Sequence, residues 1–106
     1  MSKRSGGVAF EYAFSFGGGN PPWASGMTQA TAVQALSRGS ALLADPKYET
    51  VAARALPLFT HAPPSGVRKS TADGPWYLMY SFDPSLRILN GFLQSLIFHV
   101  ALLLAL

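Results

Sequence analysis

The apolar positions of the chain follow two different periods. Phe10, Tyr12, Phe14 and Phe16 alternate with Glu11, Ala13 and Ser15, a period of two that predicts a strand whose aromatic face belongs to a sheet core. Gly17-Gly18-Gly19-Asn20-Pro21-Pro22 then breaks the chain, which makes residues 1–22 a strand followed by a Gly/Pro loop. From Ser25 to Ala44 the period lengthens. Met27, Ala30, Val33, Leu36 and Leu43 recur near helical spacing, and the small residues Ala32, Ala35, Gly39, Ser40 and Ala41 would let a second helix come close. Asp45-Pro46 is a start signal for that second helix, because aspartate accepts orphan N–H bonds and proline in the first turn loses nothing. Tyr48, Val51, Ala52, Ala55, Leu56 and Phe59 give it an apolar side, and Pro57 kinks or ends it. Residues 23–60 are therefore expected to form an αα-hairpin.

Residues 61–82 read as loop with a tyrosine-containing turn, and a short extended pair is expected around Val67 and Tyr77. Asp83-Pro84 repeats the helix-start device and predicts an apolar helix over 83–106. Leu86, Leu89, Leu93, Leu96, Val100 and Leu103 fall at steps of three and four, a stripe expected to be buried, while Arg87, Asn90 and Gln94 form a polar stripe expected to face solvent. The apolar run from Ile88 to Leu106 comes close to the roughly 20 residues that span a bilayer. Asn90, Gly91, Gln94, Ser95 and His99 interrupt it, so a buried helix is the preferred reading over a membrane anchor.

Composition narrows the function classes. The chain has 106 residues, enough for one small domain, and is 49% hydrophobic but only 12% charged. A soluble domain usually carries about 25% charged residues, so apolar surface here wants a partner, and self-association through exposed apolar helix faces is expected. The net charge is +3, from eight basic residues with no run longer than a pair, which lacks the dense stripe of a nucleic-acid module and points to no nucleic acid. The absence of cysteine excludes disulfide and thiolate chemistry. His61 and His99 have no acidic ligand at metal-binding spacing, so neither a metal nor another cofactor is expected. The glycine run is not a phosphate loop, since no lysine with Ser/Thr follows it and two prolines remove backbone donors. The N-terminus has no apolar h-region, so no signal peptide is evident. Trp23 and Trp76 are candidates for stacking on a sugar, against the commoner role of a tryptophan packed into a core.

Two segments carry a resemblance. GGGNPPWASGMTQATAVQALSRGSALL and WYLMYSFDPSLRILNGFLQSL are similar, in this order, to the C-terminal domain of the D-glucuronyl C5-epimerase family. The shared features are a Pro-Trp-x-Ser-x-Met-x-Gln helix start, a second helix, a tyrosine-containing turn and a Leu-Asn-Gly-Phe helix. The similarity covers about residues 8 to 97. It implies a mainly α fold, helical hairpins of an (α/α) toroid with a short N-terminal β segment. Three helices cannot close a toroid, so the chain is expected to be a fragment or truncated homologue of that domain.

The resemblance also implies an activity on the uronic acids of an acidic polysaccharide: removal of the C5 hydrogen and its return from the opposite face. Such a reaction needs acid/base groups on both faces and a clamp for the charge that builds on the carboxylate. Tyrosine can serve where cations or donors lower its pKa from about 10. A Glu-Tyr pair precedes the Leu-Asn-Gly-Phe helix in the family. Its tyrosine falls on Tyr80, the implied catalytic residue, and its glutamate position is Met79, which neither ionises nor donates. Tyr77, Arg87, Asn90 and Trp23 are the implied substrate-binding residues. The alternatives are a noncatalytic carbohydrate-binding or interaction piece, which Met79 favours, and a small membrane-associated protein held by its last helix.

Overall fold

The computed structural model describes residues 1–4 and 6–105, with side chains of the last helix as far as 97. Among the described residues there are three antiparallel strand pairs and three helices. Strands β1 (Ser2–Arg4) and β2 (Gly7–Ala9) form a hairpin, with Lys3 opposite Val8. β3 (Glu11–Tyr12) pairs with β4 (Trp23–Ala24), and β5 (Arg68–Thr71) with β6 (Gly74–Tyr77), in the register Arg68 to Tyr77 and Lys69 to Trp76. The helices are α1 (Gly26–Leu43), α2 (Lys47–Arg54) and α3 (Leu89–Ala105), with a 3-10 turn at Leu56–Thr60.

The mainly α architecture expected above, hairpins of an incomplete (α/α) toroid, is not what forms. The domain is mixed α/β: strand pairs occupy both the N-terminal segment and the stretch between the 3-10 turn and α3. Helix α2 has only 8 residues, too few to serve as an equal partner in a repeating hairpin. Its early end has a local cause. Pro57 lies at the start of the 3-10 turn, and a proline there cannot extend the α-helical hydrogen-bond ladder. A toroid grows by stacking helical pairs of similar length, whereas α1 here packs against α2 on one side and α3 on the other, with β hairpins closing the rest.

The core lies where α1, α2, the 3-10 turn and the strands meet. Ala9, Ala24, Ala30, Val33, Ala52, Ala55, Leu58, Phe59 and Val67 are all buried together, and Phe10, Leu36, Leu56 and Tyr77 pack onto them. Truncating Leu58 to alanine in such a site costs about 2–5 kcal/mol, since lost transfer energy and a cavity add. At the centre of the core is one polar side chain. Gln29 is fully buried; its Nε2 donates to the carbonyls of Val8 (2.8 Å) and Ala55 (2.9 Å), and its Oε1 accepts from the Phe10 N–H (3.1 Å). These bonds tie the first hairpin and the end of α2 to α1 from inside the core.

The last helix departs from the expected amphipathicity. Leu86, Leu89, Leu93, Leu96 and Ile97 are exposed, so the predicted buried stripe faces outward over its described part; Val100 and Leu103 lie outside the described side chains. Gln94, placed on the solvated face by its spacing, instead donates to Gln34 Oε1 (2.8 Å) on α1. Small residues explain the reversal. A Cβ on Gly26 would stand 3.0 Å from the Leu78 carbonyl oxygen and 3.2 Å from Ser95 Oγ, and one on Gly91 would stand 2.8 Å from Met79 Cβ. The chain can press α3 against α1 and residues 78–79 only along this thin face, which turns the leucines away. Asp83-Pro84 does not start this helix. Asp83 Oδ1 accepts from the Ser85 N–H (3.2 Å) in a separate turn, and α3 begins later, at Leu89. Among the described residues no helix is long and apolar enough to cross a membrane.

At the N-terminus, Arg4 fastens the first hairpin to two loops. Its guanidinium pairs with Glu11 (2.6 Å) and donates to the carbonyls of Pro22 (3.1 Å) and Pro64. Burial pushes the Glu11 carboxyl up, but hydrogen bonds from Arg4 and Ser2 and the positive charge of Arg4 outweigh it and hold the pKa below 4.5.

Two outcomes follow for stability. Gln29→Leu removes the acceptor of the Phe10 N–H and the donor shared by the Val8 and Ala55 carbonyls, and should cost about 3 kcal/mol in urea unfolding. Because the folded-state pKa of Glu11 is depressed, its ionised form stabilises the fold at neutral pH, and that contribution is lost as pH falls through the lowered pKa. Glu11→Gln should therefore destabilise by about 1–3 kcal/mol at pH 7, with the gap to the wild type narrowing at pH values below 4.5.

Candidate functional site

The residues flanking the start of α1 alternate between two destinations. Trp23, Ser25 and Met27 line an open cleft of about 260 Å³, whereas Ala24 is buried in the core and Gly26 packs on residue 78 and α3. Strand β4 sends successive side chains to opposite faces, and Gly26 donates its N–H to the Leu78 carbonyl (2.7 Å), which fixes this alternation against the segment leading to Tyr80. Gln29, one turn into the helix, locks the register from the core side.

Facing this wall are Tyr12, Phe14 and Phe16 from the N-terminal segment, with Thr28, Met79 and Tyr80 completing the lining. The alternating aromatics were expected in a sheet core. β3 pairs over only two residues, however, and beyond it Phe14 and Phe16 are 52% and 50% exposed. Their rings form a continuous aromatic surface instead. The Tyr12 ring lies 4.5 Å from that of Trp23, Phe14 meets Trp23 edge-on at 5.9 Å, and Phe16 lies 5.5 Å from Tyr80. Phe82 stands edge-on to Trp23 at 5.0 Å and braces it from the far side. Such tilted and edge-on contacts suit the ring quadrupoles and hold the wall in shape.

The polar atoms of the wall differ in freedom. Trp23 Nε1 donates to the Phe14 carbonyl (2.9 Å), and the Tyr12 hydroxyl is bound to Thr28 Oγ1 (2.6 Å). The Tyr80 hydroxyl makes no hydrogen bond to any described residue, although its ring is held by Phe16, Trp23 and Phe82. Among the described residues no charged one lines the cleft. A sugar ring can stack here, and one hydroxyl is available to exchange a proton or a hydrogen bond, but no cation stands ready for a carboxylate.

Of the residues singled out from sequence, Trp23 and Tyr80 come together in this cleft. Tyr77 lies elsewhere, edge-on to Phe59 at 5.5 Å beside the core. Arg87 is exposed and rests over the Trp76 ring at 5.8 Å, Trp76 is stacked on Phe92 at 4.0 Å, and Asn90 is exposed near the start of α3. Tyr12, Ser25, Met27 and Thr28 were not singled out as site residues. Their signal was present in the Trp-x-Ser-x-Met spacing and in the aromatic alternation, but nothing in either pattern says that the two segments face each other. Among the described residues no cluster of His, Asp or Glu could hold a metal ion.

Comparison with known proteins adds two findings. The family model described as D-glucuronyl C5-epimerase C-terminus matches residues 4–102. The D-glucuronyl C5-epimerase of Caenorhabditis elegans is 40% identical over 78 residues, which cover 73% of this chain and 13% of that protein. The chain thus matches a small part of its relative's length.

The two cleft tyrosines should respond differently to loss of their hydroxyls. Tyr12→Phe gives up the bond to Thr28 and should lower stability by about 1 kcal/mol, whereas Tyr80→Phe should stay within about 0.5 kcal/mol of the wild type, both read from urea midpoints at constant slope.

Proposed function

The chain belongs to the D-glucuronyl C5-epimerase C-terminal family, and on that premise we propose that its aromatic cleft receives a uronic acid residue of an acidic polysaccharide. The observation that carries this reading is the Tyr80 hydroxyl, unbonded among the described residues on a wall of aromatic rings sized for a sugar. In the proposed role the half-exposed rings of Phe14 and Phe16 hold the pyranose by stacking, backed by Trp23, which is 5% exposed, and Tyr80 exchanges a proton at C5. Arg87 and Asn90, both exposed, enter as contacts outside the cleft, and Tyr77 supports the wall from the core side.

Inversion at C5 needs a proton donor on the face opposite the one that loses the hydrogen, together with stabilisation of the charge on the carboxylate. The cleft offers Tyr80 and, with its hydroxyl already engaged, Tyr12. Met79 occupies the position where the family carries glutamate, and it lines the cleft. That observation favours a second reading, in which the chain binds uronate-containing polysaccharide without turning it over.

Incubating the chain with a glucuronate-containing polysaccharide in deuterated water separates the two. Catalysis predicts deuterium at C5, reduced by about 10²-fold or more in Tyr80→Phe. Saturable binding that is lost in Phe14→Ala/Phe16→Ala, with no exchange at high protein concentration, supports the binding reading. Absence of both binding and exchange in a correctly folded sample rejects the assignment of the cleft to uronates.

A further inference from the structure

A second depression lies beyond the cleft. Ala62, Pro63, Arg68, Lys69, Ser70 and Pro84 enclose about 390 Å³ between the loop after the 3-10 turn, β5 and the turn before α3. Two cations line it, and among the described residues no acidic one does. Arg68 and Lys69 are half-buried, and neither forms an ion pair with any described residue. The Lys69 ammonium is fixed on the wall by a bond to the Pro84 carbonyl (2.7 Å), which leaves two of its three N–H donors. The Arg68 guanidinium has a single long contact, 3.4 Å to Ser70 Oγ, and keeps most of its five donors.

We propose that this groove is an oxyanion site that takes a carboxylate or sulfate group of the same acidic glycan whose uronate occupies the aromatic cleft, so that the two depressions form one bipartite surface. The proposal rests on the uronate reading of the cleft and supplies what the cleft lacks. An uncharged aromatic wall stacks a sugar but does little to hold a polyanion, whereas paired Lys and Arg donors give short, charge-assisted bonds to oxyanions.

The two depressions are also mechanically tied. Tyr80 lines one and Pro84 the other, so the intervening backbone keeps them within about 14 Å, the reach of a short oligosaccharide. On the opposite side Arg4 donates both to the carbonyl of Pro22, which leads into Trp23, and to that of Pro64, which follows Pro63. One guanidinium therefore clamps the chain entering the cleft to the chain bordering the groove.

The test uses the full chain with two probes, sodium sulfate and a glucuronate-containing hexasaccharide, followed by amide chemical shifts and titration calorimetry. Arg68→Gln/Lys69→Gln is compared with Lys3→Gln/Arg38→Gln, which removes the same charge from exposed positions outside both depressions. Urea midpoints verify that both variants are folded. Sulfate is expected to shift the amides of residues 67–70, and the groove variant should weaken hexasaccharide binding about three- to tenfold while the control changes it less than about twofold. Equal affinity of groove variant and wild type, or an equal loss in the control, overturns the proposal. A hexasaccharide that shifts the amides of residues 67–70 but not those around Trp23 and Tyr80 defeats the uronate reading of the cleft and leaves the groove as an oxyanion site. Sulfate shifts absent from 67–70 reject the groove whatever the cleft does.

Discussion

The side-chain amide of Gln29 is the constraint on which the rest of the fold depends. It stands on α1, holds the chain at Val8 and Phe10 on one side and the end of the second helical segment at Ala55 on the other. Apolar packing alone would bring these three segments together without fixing how far each slides along the helix. Three hydrogen bonds from a fully buried side chain do fix it, because a slip would leave buried donors and acceptors unmet. The same register determines that Trp23, Ser25 and Met27 point into the cleft, so the core glutamine and the candidate site belong to one stretch of sequence.

The domain separates shape from charge. Its aromatic cleft is lined by no charged residue among those described, whereas Arg68 and Lys69 line the groove and Arg87 lies over the Trp76 ring. Arg4, bound to Glu11, serves to join loops. This division agrees with a surface made to lie along a polyanion. It agrees less well with a self-sufficient catalytic centre, which would need charged groups inside the cleft itself. The exposed leucines of α3, Leu89, Leu93 and Leu96, are a separate feature.

Much of the local structure is legible in the residues. The spacing that marks a helix from Ser25 to Ala44 meets α1 at Gly26–Leu43, and the extended pair around Val67 and Tyr77 is the β5–β6 hairpin. Pro57 stops α2 for the reason its chemistry gives. The failures share a cause. Periodicity identifies a face of α3 but not whether anything covers it, and Gly91 and Ser95 rather than the leucines make the contact. The toroid fails likewise, since an αα-hairpin motif does not reveal the strand pairs that take the place of further helices.

By itself the sequence determined the family, through two motifs in order, and the roles of punctuating residues, because proline, glycine and capping groups act within a few bonds of themselves. It also named Tyr80 and Trp23, which line one cleft, but equally Tyr77, Arg87 and Asn90, which do not. Only the tertiary structure decided that Tyr12, Phe14 and Phe16 close that site, that Tyr77 sits beside the core, and that Arg68 and Lys69 share a groove beyond it. Those facts depend on which segments pack against each other, and packing is settled by shape and by the satisfaction of buried groups such as Gln29, over distances that no local pattern encodes.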